Sequence, residues 1–206
     1  MKEVLIVDYN LGNLTSLQSA LSYLGYSSVI SNDPSKVIKS RKIILPGVGA
    51  FPTAIQYLNR YNLIEAIKES AKIGNDILGI CLGMQLFMEK SYEFTKTDGL
   101  SLFKGDVISI NQNKKDIIKL PSIGWYKLIK KKDNKIFDKI SKLQWFYFVH
   151  SFMVNCKNKD DILANYEVGK KNVTAIIKKN NITGFQFHPE NSGLEGLTFL
   201  NNFCNE

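Results

Sequence analysis

Arginine and histidine are almost missing from this chain of 206 residues, which holds only Arg41, Arg60, His150 and His188. The shortage of arginine decides how the charge is read. Lysine and arginine together number 27 against 19 acidic residues, a formal net charge of +8, which invites a nucleic-acid partner. Bidentate recognition of bases and phosphates draws mainly on arginine's planar fork. Here lysines are instead scattered beside asparagines, as in Lys178-Lys179-Asn180-Asn181. The expectation is a solvated lysine surface and no nucleic-acid partner.

Cysteine is also scarce. Cys81, Cys156 and Cys204 are odd in number and have no metal-type spacing, which argues against a disulfide framework or metal site and for a reducing compartment. Long apolar runs are lacking. The longest uncharged one, Trp145-Phe146-Tyr147-Phe148-Val149, is far below the roughly 20 residues of a membrane helix. The start, Met1-Lys2-Glu3-Val4, leads into a strand-like segment ending at Asp8, without the apolar stretch and cleavage site of a signal peptide. A soluble cytoplasmic protein with no membrane partner is expected. There is no repeat, Pro/Ser-rich linker or low-complexity tail. With 44% hydrophobic residues in 23.4 kDa, residues 1–206 are expected to form a single domain.

The first half alternates strand and helix, the pattern of a parallel sheet covered by helices. Val4-Leu5-Ile6-Val7 predicts a strand. Asn13 then caps a helix with Leu14, Leu17, Leu21 and Leu24 at helical spacing, stopped by Gly25. Ser28-Val29-Ile30 predicts a second strand, Asp33-Pro34 a helix start, and Lys42-Ile43-Ile44-Leu45 a third strand running into Pro46-Gly47-Val48-Gly49. Helices are expected over 51–58 and 63–73, and a fourth strand over 76–80. Beyond Gly99, shorter strands are expected near 106–110, 123–129, 145–154, 161–166, 173–178 and 182–187, as a partly antiparallel extension of the same sheet. A short helix is expected over 134–140 and a closing one over 194–203.

Gly79-Ile80-Cys81-Leu82-Gly83 places a cysteine between glycines where a strand gives way to a helix, the arrangement of a nucleophile elbow. A helix N-terminus favours negative charge on sulfur, and the glycines leave room for the tight turn and for close approach of a substrate. Alone, the motif is as well explained by a buried structural cysteine. His188 changes the balance, because it ends an apolar strand and Glu190 stands two residues on. Active-site side chains in open α/β sheets gather at such strand ends. An imidazole there can take the thiol proton, and the carboxylate can fix its tautomer. His150 is the competing base, and without a nearby carboxylate it reads as lining. The Leu82 amide is one candidate oxyanion donor. The Val48-Gly49 loop is a candidate for the second. That loop lacks the phosphate-binding pattern, so nucleotide binding is rejected.

Taken together, Gly79-Ile80-Cys81-Leu82-Gly83-Met84-Gln85 and His188-Pro189-Glu190 resemble the class I (triad) glutamine amidotransferases. Within that class the likeness is greatest to the glutaminase subunits of imidazole glycerol phosphate synthases. It is carried by Asp8-Tyr9-Asn10-Leu11-Gly12-Asn13-Leu14, Leu45-Pro46-Gly47-Val48-Gly49-Ala50-Phe51, Pro121-Ser122-Ile123-Gly124-Trp125, Tyr147-Phe148-Val149-His150-Ser151 and Gly184-Phe185-Gln186-Phe187-His188. The resemblance spans essentially the whole chain. It implies an α/β, flavodoxin-like fold with an open, mainly parallel sheet and helices on both faces. It also implies that Cys81 attacks the side-chain amide of L-glutamine, with His188 as acid-base and Glu190 as its orienter, without cofactor or metal. By the same resemblance, Gln85, Glu93, Ser151 and Phe152 line the glutamine pocket, and Val48, Gly49 and Leu82 form the oxyanion site. The implied partner, in a heterodimer, is a (β/α)8-barrel cyclase. It receives ammonia through an internal channel and forms imidazole glycerol phosphate and AICAR in histidine biosynthesis. In this family the glycine loop is completed for catalysis by a signal from that partner. Trp125, Tyr126, Tyr147 and Asn191 would face the partner or the ammonia path. Three positions depart from the family pattern: Asn10 for glycine, Tyr126 for asparagine and Asn191 for lysine. The alternative is a paralogue that supplies ammonia for amidino groups on surface sugars.

Overall fold

The computed structural model describes residues 3–112, 117–140 and 145–206. The first half runs β1 (Glu3–Val7), α1 (Leu14–Tyr23), β2 (Ser27–Ser31), α2 (Pro34–Lys39), β3 (Lys42–Leu45), α3 (Phe51–Arg60), α4 (Leu63–Lys72), β4 (Asp76–Ile80) and α5 (Leu82–Leu86). Next come β5 (Met88–Ser91), β6 (Thr97–Asp98), β7 (Phe103–Ser109), β8 (Ser122–Lys127), β9 (Ile129–Lys130), β10 (Trp145–His150) and β11 (Phe152–Cys156). β12 (Ile162–Val168), β13 (Lys171–Lys179), β14 (Ile182–Phe185) and α6 (Gly193–Asn205) complete the chain.

The main sheet has the order β2-β1-β3-β4-β14-β13-β12-β9. It is parallel from β2 to β14 and antiparallel from there outward. Its central strands carry continuous apolar runs, Val4–Val7, Ile43–Leu45 and Ile77–Ile80, because both faces are covered. In β1, Val4 and Ile6 point into one core with Leu17 and Leu21 of α1 and Phe199 and Phe203 of α6, while Leu5 and Val7 point into the other with Phe51, Leu58 and Ile67 of α3 and α4. Each such fully buried aliphatic or aromatic side chain contributes about 1.5–3 kcal/mol.

Local signals set the connections that bring the sheet to its active end. The Asn13 side chain accepts from the Ser16 amide at 3.2 Å, and that of Asp33 from the Ser35 amide at 2.8 Å, so both expected caps form. Gly25 ends α1 at φ +84°, with the Tyr26 amide reaching back to the Leu21 carbonyl at 2.9 Å.

The second half corrects several expectations. The run expected as one strand over 145–154 is two strands, since β10 pairs with β8 in a separate ribbon and β11 pairs with β7. The segment expected over 123–129 likewise divides, β8 joining that ribbon and β9 the edge of the main sheet. The extension is therefore only partly continuous with the main sheet: β11-β7-β5-β6 form a second sheet of their own. Apolar alternation reports that a segment is extended but not which partner it finds. β5 and β6 carry too much polar sequence to announce themselves as strands. The helix expected over 134–140 is a single 3₁₀ turn, Lys135–Phe137, started by Asn134.

Candidate active site

Cys81 lies between β4 and α5 in the middle of the main sheet, with φ 54° and ψ −108°. An L-residue takes up that backbone only when its surroundings force it. Gly83 is the main cause: a Cβ there would stand 1.8 Å from the Leu45 carbonyl oxygen. At Gly79 a Cβ would come within 2.7 Å of the Gly83 backbone and 2.6 Å of the Phe87 ring. The missing side chains thus let α5 pack directly onto β3 and β4, which corrects the expectation that they make room for substrate. The Cys81 amide donates to the Phe185 carbonyl of β14 at 2.7 Å, locking the turn across two strands.

His188 follows β14 in the chain, and its amide bonds to the Tyr147 carbonyl of β10 at 3.0 Å. Its Nδ1 is 2.9 Å from Glu190 Oε1, with both side chains almost wholly buried. The buried Nε2 has no hydrogen-bond partner. Burial disfavours the charged imidazole, but the hydrogen bond to Glu190 and the charges of Cys81 and Glu190 outweigh it and hold His188 above the usual histidine range. The arrangement brings an imidazole oriented by a carboxylate into one cavity with the cysteine of the elbow. Ser192 fastens the turn, donating to the His188 carbonyl at 2.6 Å and accepting from the Tyr147 amide at 3.0 Å.

Cys81 and His188 open into a cavity of about 330 Å³, within the range of small-molecule sites. Val48, Gly49 and Leu82 line it, as do Gln85, Glu93, Ser151 and Phe152. Every residue singled out as oxyanion donor or pocket wall therefore reaches one site, while Glu190 stands behind His188. Burial raises the Glu93 carboxyl above its ordinary value, against the pull of the Phe51 amide, which donates to Oε2 at 2.8 Å. The Leu82 amide points to the Gly47 carbonyl at 3.4 Å, so one expected oxyanion donor is turned onto the protein itself. The loop is held beneath by Tyr9, whose hydroxyl donates to the Pro46 carbonyl at 2.6 Å.

His150 lines the same cavity, as expected, and is fixed there by its own hydrogen bonds. Its Nδ1 donates to the Phe152 carbonyl at 2.7 Å, so Nε2 is left to accept from the Tyr166 hydroxyl at 2.7 Å. Burial lowers it to about 4, in part offset by the Phe152 carbonyl. Trp125 lies on the outer face of the β8–β10 ribbon, 5.8 Å from Tyr147 between ring centroids. Tyr126 instead turns inward onto Phe148 and Tyr166 at 5.9 and 5.0 Å, so its ring packs beneath the ribbon and not on its outer face. Asn191 is exposed just past Glu190. Asn10, where the family pattern has glycine, sits at φ 66°, a conformation asparagine tolerates.

Gln186 and Tyr9 lie within segments that carry the family resemblance, but no role in the site was expected of them, and Ser192 was not marked at all. In the sequence Gln186 also stands out as the one polar residue in Phe185-Gln186-Phe187, and Tyr9 lies within a motif whose partner, the 46–49 loop, is distant in the chain. A second, larger cavity of about 820 Å³ lies at the opposite end of the parallel strands, among Lys36, Lys39, Arg41, Lys42 and Asp76. Size does not make it the site, because neither a cysteine nor a histidine lines it. Among the described residues no cluster of His, Cys, Asp and Glu could hold a metal, and no helix is long and apolar enough to cross a membrane.

Comparison with known proteins agrees with this geometry. Among solved structures, one entitled "Structure of PurLQS from Thermotoga maritima" superposes with a TM-score of 0.74 over 100% of this chain and 99% of that one, at 22% identity. A glutamine amidotransferase crystal structure gives 0.72 over 98% and 96%, at 15% identity. These likenesses support the fold. In sequence, the chain is 46% identical to the imidazole glycerol phosphate synthase subunit HisH of Lactococcus lactis, over the full length of both. The identity to the subunit of the same name from Caldanaerobacter subterraneus is 44%, over 96% of this chain and 95% of that one. The family described as "Glutamine amidotransferase class-I" matches residues 5–206, and with the elbow at Cys81 and the His188–Glu190 pair in one cavity, this chain belongs to that family.

Proposed function

We propose that the chain, as one amidotransferase domain over residues 1–206, is the glutaminase subunit of an imidazole glycerol phosphate synthase. It hydrolyses L-glutamine and passes ammonia to a (β/α)8-barrel cyclase in the cytoplasm. The observation that carries the reading is the convergence of Cys81 and the His188–Glu190 pair on one cavity of amino-acid size, in a chain 46% identical throughout to such a subunit.

The chemistry follows from the geometry. The Cys81 thiolate attacks the side-chain amide carbon of glutamine, and the carbonyl π electrons move onto oxygen. Backbone amides at the Leu82 and Val48–Gly49 positions stabilise that oxyanion. The carbon–nitrogen bond breaks as His188 delivers its proton to the leaving amine, releasing ammonia and a glutamyl thioester. Water then attacks the thioester while His188 takes its proton, and glutamate departs as the thiolate reforms. Glu190 keeps Nδ1 protonated throughout, leaving Nε2 to shuttle. The Leu82 amide cannot serve while it faces the Gly47 carbonyl at 3.4 Å, so the loop must first turn that carbonyl away. A partner that drives this turn makes hydrolysis conditional on its presence.

The test is glutamate release by the chain alone and with its cognate barrel subunit carrying bound ligand. Release is expected to rise steeply with the barrel and to fall at least about 10³-fold in Cys81→Ala. Full hydrolysis by the variant would remove Cys81 as nucleophile. Complementation of an auxotroph lacking this subunit assigns the acceptor: failure beside a functional cognate barrel would exclude histidine synthesis and favour the amidino-sugar paralogue.

A further inference from the structure

We propose that Gln186 takes part in the reaction: its side-chain amide donates to the sulfur of Cys81 and ties the nucleophile to the substrate pocket through Gln85. The proposal rests on Cys81 being the nucleophile. Gln186 is fully buried, its Nε2 lies 3.7 Å from Cys81 Sγ, and its Oε1 accepts from Gln85 Nε2 at 3.1 Å. Gln85 Nε2 also donates to the Phe152 backbone carbonyl at 3.0 Å.

The direction of this chain is fixed by its far end. A backbone carbonyl can only accept, and the Phe152 carbonyl already receives His150 Nδ1 at 2.7 Å. Gln85 must therefore present its NH₂ group there, and its second hydrogen goes to Gln186 Oε1. Flipping Gln186 would set two NH₂ groups against each other, and flipping both glutamines would set Gln85 Oε1 against the Phe152 carbonyl. Only one orientation satisfies every member, and it aims an N–H of Gln186 at the sulfur.

An N–H donor distinguishes the states of sulfur. A thiolate is a much better acceptor than a thiol or thioester, so the donor favours the charged nucleophile and the departure of sulfur when the thioester is hydrolysed. His188 supplies the counter-charge and the Val149 carbonyl, 3.9 Å from Sγ, can only accept from a thiol, so Gln186 supplies the uncharged donor to sulfur. A buried glutamine that merely fills space would satisfy its hydrogen bonds but leave the sulfur's chemistry unchanged.

That difference is measurable without turnover. The pH dependence of iodoacetamide alkylation at Cys81, followed by peptide mass in the full chain, reports thiolate directly. Gln186→Met keeps the length without the donor, and Gln186→Asn draws the amide back from the sulfur while staying polar. In each, the inflection of the alkylation profile is expected to move up by about one pH unit. Below the inflection the rate falls about three-fold, since a more basic thiolate recovers part of the loss as nucleophilicity. The plateau at high pH does not fall, whereas a disordered site would change the rate at every pH. A wild-type profile in either folded variant would overturn the proposal. Should Gln186→Met fail to fold, Gln186→Asn decides alone. Because alkylation does not involve glutamine, this outcome is independent of the Cys81→Ala turnover result, which tests the function itself.

Discussion

The two histidines show how surroundings decide what a residue can do. His188 gains a carboxylate and a thiol as neighbours and is held above its ordinary range, while burial lowers His150 to about 4. Their effects on stability have opposite signs. His150 is neutral when folded, so its contribution is complete above about pH 6.5 and is lost as pH falls toward about 4. The raised values of His188 and Glu93 have the other sense and produce no acid-side loss. Urea unfolding between pH 7.5 and 4.5 should therefore lose on the order of 3 kcal/mol to His150 alone, and His150→Gln should flatten that acid limb. An unchanged limb in the variant would show that another group carries it. His188 and Glu190 were legible in the sequence because they stand two residues apart. That His150 lines the site was legible as well, but its partners were not, because Tyr166 and the Phe152 carbonyl meet it only through the fold.

At the scale of elements, the elbow is built by what α5 lacks. The close approach of α5 to Leu45 leaves no space for a Cβ at Gly83, and the obstruction is backbone, which cannot rotate away. Gly83→Ala is expected to destabilise the protein by about 2–4 kcal/mol and to lower glutaminase activity at least about 100-fold by shifting Cys81. Gly25→Ala is the comparison: nothing lies within 4 Å of its Cβ position, so only the strained φ of +84° is felt. Its cost should be about 1 kcal/mol with activity kept. Denaturant titration and glutaminase assays of both variants would check this, and equal costs would refute the packing account. The parallel strands and their caps were legible because each carries its own local signal. The division of 145–156 into β10 and β11 was not, since residues 145–150 and 152–156 choose different sheets through β8 and β7, which are remote in the chain.

Across the whole molecule, the active end of the main sheet is flanked by the β8–β10 ribbon, whose outer face shows Ile123, Trp125 and Trp145 at 58%, 48% and 51% exposure. The same ribbon reaches inward, for the Tyr147 backbone bonds both His188 and Ser192. Under the proposed function this face receives the barrel subunit, and an exposed tryptophan at its centre is a natural anchor. Trp125→Ala is expected to weaken the complex by about 2 kcal/mol, roughly 30-fold in Kd, with thermal stability of the free chain unchanged. Calorimetric titration against the barrel measures it, and an unaltered Kd would move the interface elsewhere. Composition and hydropathy patterning showed none of this, since an exposed aromatic strand reads like a buried one; only the family resemblance marked the face.

The Leu82 amide resting on the Gly47 carbonyl has a consequence beyond the catalytic cycle. Under the proposed function, a copy synthesised in excess of its partner draws no nitrogen from the cell's glutamine pool. The two subunits then need not be made in strict proportion, because surplus chains stand idle instead of wasteful.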